Sequence, residues 1–254
     1  MHPVLFQFGP FTVTSYGFMV ALGILAGLFV VVRVGKRAGF DTDILLDLAL
    51  YLVLAGVIGS RAAYVFLEWE QYGTEPLAML RVWDGGLSFF GALVLCLLVV
   101  IWFTRRRRLS LARLGDVLAL GVAAGYPFGR IGCYLNGCCY GLPTDHAFGV
   151  MFPFDDVLRH PTQLYSAGAG VLIFLVLLFL SRKRSFDGLL MWSFLILYGG
   201  YRFVIDFWRV SPPTGIETLT IGQLVSLVVM VVSGLALWFT WHRSKAGAGG
   251  NRAG

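Results

Sequence analysis

Apolar runs of roughly 17 to 25 residues, each long enough to cross a bilayer as a helix, recur from one end of this chain to the other. They leave few architectures open. Lipid offers backbone N–H and C=O groups no partners, so a spanning segment must satisfy its hydrogen bonds internally. The alternating ten-residue strands of a membrane barrel are absent, which leaves helices. Composition agrees: 57% of the 254 residues are hydrophobic and 13% charged, with 21 Phe, where soluble domains carry about a quarter charged residues. The net charge of +6 does not point to nucleic acid, because the bases sit in short clusters between apolar runs.

The pattern predicts an all-α, polytopic membrane protein with seven transmembrane helices near 14–33, 44–67, 87–104, 115–135, 163–181, 188–208 and 221–241. Arg33, Lys36 and Arg37 follow the first span, Arg105 to Arg108 the third, Arg182 to Arg184 the fifth, and Arg243, Lys245 and Arg252 the seventh. The other connections carry Glu68, Glu70, Glu75, Asp145, Asp155, Asp156 and Glu217. Positive charge marks the cytoplasmic side, so the N-terminus is expected outside, in the periplasm, and the C-terminus in the cytoplasm. With no basic residue ahead of it and more spans behind, the first span is not read as a cleaved signal peptide. Met1 to Val13 reads as a short interfacial segment, residues 136–162 as an external loop, residues 1–244 as one integral-membrane domain, and the Gly/Ala-rich 245–254 as a disordered cytoplasmic tail.

Among the charged residues inside or at the edge of the expected spans, Arg61, Arg130, Arg202 and Asp206 draw attention. A charge at the centre of a membrane helix costs about 2.5–3.5 kcal/mol even on insertion scales, so it usually faces a protein interior or a cavity. Arg61 precedes the outer end of its span by about six residues, or roughly 9 Å. Arg130 and Arg202 lie similarly near the outer ends of the fourth and sixth spans, and Tyr16 just inside the outer end of the first. Four helices thus bring polar groups to one depth. Two readings compete. Each arginine can snorkel to the headgroups, with Arg202 pairing Asp206 one turn on. Alternatively, the three guanidinium forks, whose planar donors suit phosphate, meet around an anionic phospholipid headgroup.

Six segments then carry a resemblance. "SYG" (Ser15 to Gly17), "GSRAAYV" (Gly59 to Val65), "RVWDGGLSFFGA" (Arg81 to Ala92), "GRIGCYLNGCCYG" (Gly129 to Gly141), "RHPTQLYSA" (Arg159 to Ala167) and "YGGYRFVIDFWR" (Tyr198 to Arg209) resemble, in order, the motifs of bacterial prolipoprotein diacylglyceryl transferases. The resemblance implies an enzyme of the bacterial inner membrane with its active site toward the periplasm. Such an enzyme transfers the diacylglyceryl group of phosphatidylglycerol to the lipobox cysteine thiol of a prolipoprotein, leaving a thioether, with no cofactor and no metal.

Carried over residue by residue, the resemblance implies that Arg130 and Arg202 hold and neutralise the phosphate, and that Tyr16 and Asp206 belong to the catalytic group. It further implies that Arg61, Asn136, Gly141, Asp84, Gly85 and Gly86 line the phospholipid site, Gly141 where the chain comes close to lipid or peptide. Asp84-Gly85-Gly86 also reads as the turn that opens the third span. Tyr64 matches with a less defined role.

There are departures. Phe90 stands where many members have histidine, Ser166 where they have glutamate, Cys133 for an asparagine and Cys138 for an acidic residue. Tyr16, Asp206 or the phosphate itself remain as proton acceptors for a thiol whose ordinary pKa is about 8.5. Cys133, Cys138 and Cys139 read as small packing residues with one disulfide at most; a metal site with His146 or His160 and a redox role are the alternatives. Cys96 reads as a buried small hydrophobe. A family relative with another acceptor or no activity is the second functional reading. A lipid transporter is the third, and it predicts a polar path into the inner half of the membrane that the sequence lacks.

Overall fold

The computed structural model describes residues 1–8, 11–72, 76–81, 85–153, 156–183, 185–209 and 219–250. Asp84, one of the expected site residues, lies outside them. The fold is built of long helices: α1 (Ser15–Arg37), α2 (Thr42–Leu67), a four-residue α3 (Trp69–Tyr72), α4 (Phe89–Arg107), α5 (Leu111–Leu135), α6 (Thr162–Arg182), α7 (Leu189–Ile205) and α8 (Ile221–Gly250). Six of them (α1, α2, α4, α6, α7 extended to Trp208, and α8) are long and apolar enough to cross a bilayer. The expected fourth span corresponds to α5, which has the length but carries Arg113, Asp116, Pro127 and Arg130. Outward faces are apolar: Phe29 is 69% exposed and Leu172 65%, a surface suited to acyl chains rather than water.

Within the expected interfacial segment, β1 (Val4–Phe8) pairs antiparallel with β2 (Phe11–Thr14). The runs "VLFQF" and "FTVT" are rich in the aromatic and β-branched residues that favour strands. The loop after α5 also contains a small antiparallel pair, β3 (Val150–Met151) with β4 (Leu158–Arg159), so the protein is mostly helical rather than purely so. α8 runs to Gly250, five residues past Lys245.

The chain forms two compact units, residues 32–114 and residues 1–31 with 115–254. In the first, α2 packs on α4. A Cβ on Gly59 would lie 2.5 Å from the Gly91 carbonyl oxygen, so the two backbones touch through paired glycines, as small residues allow in membranes. Leu45, Leu48 and Phe103 are buried there.

In the second unit α1 and α5 meet antiparallel through a matched glycine ladder. Cβ atoms on Gly23 and Gly125 would lie 2.9 and 2.7 Å from each other's carbonyl oxygens, and those on Gly27 and Gly121 2.9 and 3.1 Å. Each helix contributes a G-x-x-x-G pair. α7 packs on α6 and α8. The start of α7 is held by Asp116 of α5, buried, whose carboxylate accepts from the backbone N–H groups of Gly188 (2.8 Å), Leu190 (2.9 Å) and Met191 (3.0 Å). These are helix N-terminal donors that otherwise lack partners in lipid, and a carboxylate also complements the helix dipole. The sequence reading passed over Asp116.

Asp116→Ala should therefore destabilise the fold by about 2–4 kcal/mol and Asp116→Asn by about half that, read as the fall in thermal unfolding midpoint in detergent. An unchanged midpoint for the alanine variant would remove Asp116 from this role.

Candidate active site

Arg61 lies in the unit of residues 32–114 and is buried. Its Nε donates to the Met79 carbonyl at 2.9 Å and its Nη2 to Ala78 at 2.7 Å. Its Nη1 donates to Gly85 at 2.7 Å and Gly86 at 3.1 Å. A guanidinium has five N–H donors, so this one is nearly saturated by backbone oxygen, and its face covers the rings of Tyr64 and Tyr72 at 5.9 and 5.3 Å. Gly85 and Gly86 have φ of +87° and +68°, which glycine adopts at no steric cost. A Cβ on Gly86 would strike Tyr64 at 2.5 Å and Arg61 at 2.8 Å. The structure thus gives Arg61, Tyr64, Gly85 and Gly86 a shared job, seating the chain before α4. A phosphate would have to displace four hydrogen bonds to engage this arginine. Phe90, by contrast, is 74% exposed.

The unit of residues 1–31 and 115–254 holds the other arginines. Arg130, near the end of α5, donates from Nε to the Tyr126 hydroxyl at 2.9 Å, with the guanidinium 5.2 Å from the Tyr126 ring. From there hydroxyls run in one direction. Tyr126 donates to the Tyr201 hydroxyl at 3.4 Å, Tyr201 donates to Ser166, and Ser166 donates to the Thr162 carbonyl at 2.5 Å. Gly170 makes room for the Tyr126 ring, which a Cβ there would meet at 2.6 Å. Ser166, buried on α6, anchors this relay. Sequence reasoning missed the tyrosines. The spacing Tyr126–Arg130, one helical turn, was the available signal.

Arg202 on α7 pairs through Nη1 with Asp206, whose side chain is fully buried. The second Asp206 oxygen accepts from Thr220 Oγ1 at 2.5 Å. Thr220 in turn forms a reciprocal cap with Gln223 at the start of α8, with bonds of 3.0 and 3.1 Å, the T-x-x-Q capping box. A Cβ on Gly222 would crowd the Arg202 Nη2 at 2.8 Å. Both Asp206 oxygens are occupied, so Asp206 positions Arg202. The expected Arg202–Asp206 pair is present. Tyr198 packs edge-on against Tyr126 with ring centroids 5.6 Å apart. Among the described residues, Arg130 keeps its terminal Nη groups, and Arg202 its Nε and Nη2, without a hydrogen bond.

Tyr16, 44% exposed, lies over Gly132, where a Cβ would come within 3.3 Å of its ring. Asn136 is exposed. Gly141 does not open toward a ligand: its amide donates to the His160 carbonyl at 2.9 Å, and a Cβ would collide with the Trp208 carbonyl and lie 2.7 Å from Thr162 Cγ2. It lets residues 141–144 run between the chain segments at 158–160 and 208–209.

The four cysteines are free thiols. Cys139, in the loop, is held far below the ordinary thiol range, first by hydrogen bonds with the Cys133 and Cys138 thiols, then by the charges of Arg209 and Arg130. An apolar groove of about 430 Å³ lies between α1, α5 and α6. Phe29, Val30, Pro127, Phe128 and Ile131 are among its walls; Ile131 directly follows Arg130.

A family model described as prolipoprotein diacylglyceryl transferase matches residues 3–240. The chain belongs to this family. Curated relatives called phosphatidylglycerol–prolipoprotein diacylglyceryl transferase include one from Parasynechococcus marenigrum, 36% identical over 96% of this chain and 95% of the relative. Others come from Geobacter sulfurreducens, 33% identical over 96% and 97%, and Clostridium tetani, 31% identical over 91% and 95%. With six bilayer-length apolar helices and membership of this family, the chain is a multi-pass membrane protein.

Arg61→Lys keeps the charge but cannot reach four carbonyls with one ammonium. It should speed tryptic cleavage after Arg81 about tenfold or more, the effect of some 1.4 kcal/mol on local opening, while Arg33→Lys leaves the rate unchanged. Equal rates for all three proteins would contradict the seating role.

Proposed function

We propose that this protein transfers the diacylglyceryl group of phosphatidylglycerol to the thiol of a prolipoprotein lipobox cysteine, with Arg130 and Arg202 clamping the lipid phosphate. One observation carries the reading: Arg130, held by Tyr126 on α5, and Arg202, held by Asp206 at the end of α7, sit one turn beyond Tyr126 and Tyr198, whose rings pack edge-on 5.6 Å apart, and among the described residues each guanidinium has terminal donors left over. The groove beside Ile131 supports it, since it offers an apolar path for an acyl chain from a headgroup held at Arg130. The proposal includes α5 as a seventh span, the N-terminus outside, the C-terminus in the cytoplasm, the site toward the periplasm of the inner membrane, and residues 1–244 as one membrane domain. The alternation of basic and acidic connections supports that orientation.

The chemistry is a displacement at carbon. The acceptor sulfur, as thiolate, attacks the glycerol carbon that bears the phosphate oxygen. A C–S bond forms, the C–O bond breaks, and glycerol phosphate departs with the electron pair. Negative charge grows on the leaving phosphate, where two guanidinium groups preorganised in a low-dielectric site stabilise it most. Tyr126, Tyr201 and Ser166 aim Arg130, and Asp206 with Thr220 aims Arg202; these are positioning residues. Asp206 is a poor candidate for the base because both its oxygens are engaged. Tyr16, exposed over Gly132, is the titratable hydroxyl that remains at hand.

The test incubates purified protein in phosphatidylglycerol vesicles with a lipobox peptide and reads the mass gain of one diacylglyceryl on the peptide thiol. Arg130→Ala and Arg202→Ala should each lower kcat/KM by about a hundredfold or more. Tyr126→Phe and Ser166→Ala should lower it by about tenfold, and exposed Arg106→Ala should leave it unchanged. No gain with the parent protein would favour a relative that has lost transfer, and full gain with both arginine variants would remove the clamp.

A further inference from the structure

Cys133 at the end of α5 and Cys138 and Cys139 in the following loop come from two turns of chain, yet their three sulfur atoms lie within 4.8 Å of one another. The Cys138 and Cys139 sulfurs are 3.6 Å apart. That is too long for a disulfide, which is about 2.05 Å, and close to the edge of a coordination polyhedron: Zn–S bonds of about 2.3 Å place tetrahedral neighbours about 3.8 Å apart. We propose that Cys133, Cys138 and Cys139 form a three-thiolate seat for one thiophilic d10 metal ion, Zn²⁺ in the first instance, with the fourth position open.

Four features of the surroundings fit that ion. The loop backbone is fixed: the Cys138 amide donates to the Cys133 carbonyl at 3.1 Å. The Cys138 carbonyl accepts from Gln163 Nε2 at 2.6 Å and the Cys139 carbonyl from Thr162 Oγ1 at 3.1 Å. The three sulfurs are thereby held from outside, as ligands with supported second contacts are. Gln163 itself is fully buried and its Oε1 has no hydrogen-bond partner; a water in the open position is a donor of the kind that oxygen lacks. Charge is moderate as well: three thiolates and a dication carry one net negative charge. Neither His146 nor His160 belongs to the cluster. C-x4-C-C spacing alone does not reveal that the turn at Gly137, φ +72°, folds Cys138 and Cys139 back onto Cys133. Binding releases to solvent the protons that the thiols still carry, as a coordinating thiol is deprotonated outright.

The experiment needs no lipid substrate, so its outcome is independent of the transfer reaction. The reduced, desalted full chain in detergent is titrated with Zn²⁺, and bound metal is counted by elemental mass spectrometry. Cd²⁺ then replaces Zn²⁺ to report thiolate ligation by its ultraviolet charge-transfer absorption. One equivalent should bind, and Cys133→Ser, Cys138→Ser and Cys139→Ser should each weaken it by more than about tenfold. Cys96→Ser, which alters a thiol in the other unit, should bind like the parent. Because a serine variant can misfold, alkylation of the unaltered chain is a second readout: Zn²⁺ should slow modification of Cys133, Cys138 and Cys139 and leave Cys96 as it was. Stoichiometry no greater than that of the triple serine variant, equal protection of Cys96, or a Cys133–Cys138 or Cys138–Cys139 disulfide re-forming in place of metal uptake would each overturn the proposal.

Discussion

A guanidinium within a membrane protein must be answered by oxygen, since it stays charged at any accessible pH and lipid cannot solvate it. The arginines here meet that demand in three different ways. Arg61 is answered by four backbone carbonyls, Arg130 by a tyrosine hydroxyl at the head of a directed chain, and Arg202 by a buried carboxylate. The kind of answer decides what each can do next. Four carbonyls leave Arg61 little capacity and make it a folding element. One hydroxyl or one carboxylate oxygen leaves terminal donors, so Arg130 and Arg202 are held in place without being satisfied. A partly satisfied cation in a dry site binds an anion more strongly than an exposed one does.

The rest of the second unit serves that condition. Glycine pairs on α1 and α5 let the backbones close, which brings Tyr16 over Gly132 and toward Arg130. Gly170 admits the Tyr126 ring, and Gly222 admits the Arg202–Asp206 pair at the capped start of α8. Polar groups on α5, α6, α7 and α8 are thereby locked in series. Loss of one hydroxyl in such a chain leaves a buried neighbour unpaired, which costs more than the bond itself.

Much of this was legible in the residues. Hydropathy placed the seven long helices, because the bilayer requirement is strong and local. The Arg202–Asp206 contact followed from one-turn spacing. What escaped notice depends on contacts between segments far apart in sequence. Asp116 reaches residues more than seventy positions on, and Gly141 is needed because Trp208 lies behind it. The cysteines converge only once the loop turns at Gly137. The G-x-x-x-G pairs of α1 and α5 were visible as letters, and their meaning came from the matching partner. The hairpin at residues 4–14 was hidden by its shortness beside a long apolar run.

The central claim is that Arg130 and Arg202 hold one phosphate between them, and a double-mutant cycle on lipid binding measures it directly. Affinity for phosphatidylglycerol in nanodiscs of otherwise zwitterionic lipid would be compared for the parent, Arg130→Lys, Arg202→Lys and the double variant. The shared clamp predicts a coupling free energy above about 1 kcal/mol, with the second substitution costing much less than the first. Additive losses, or an Arg202 variant that binds like the parent, would mean that the two arginines serve separate ends.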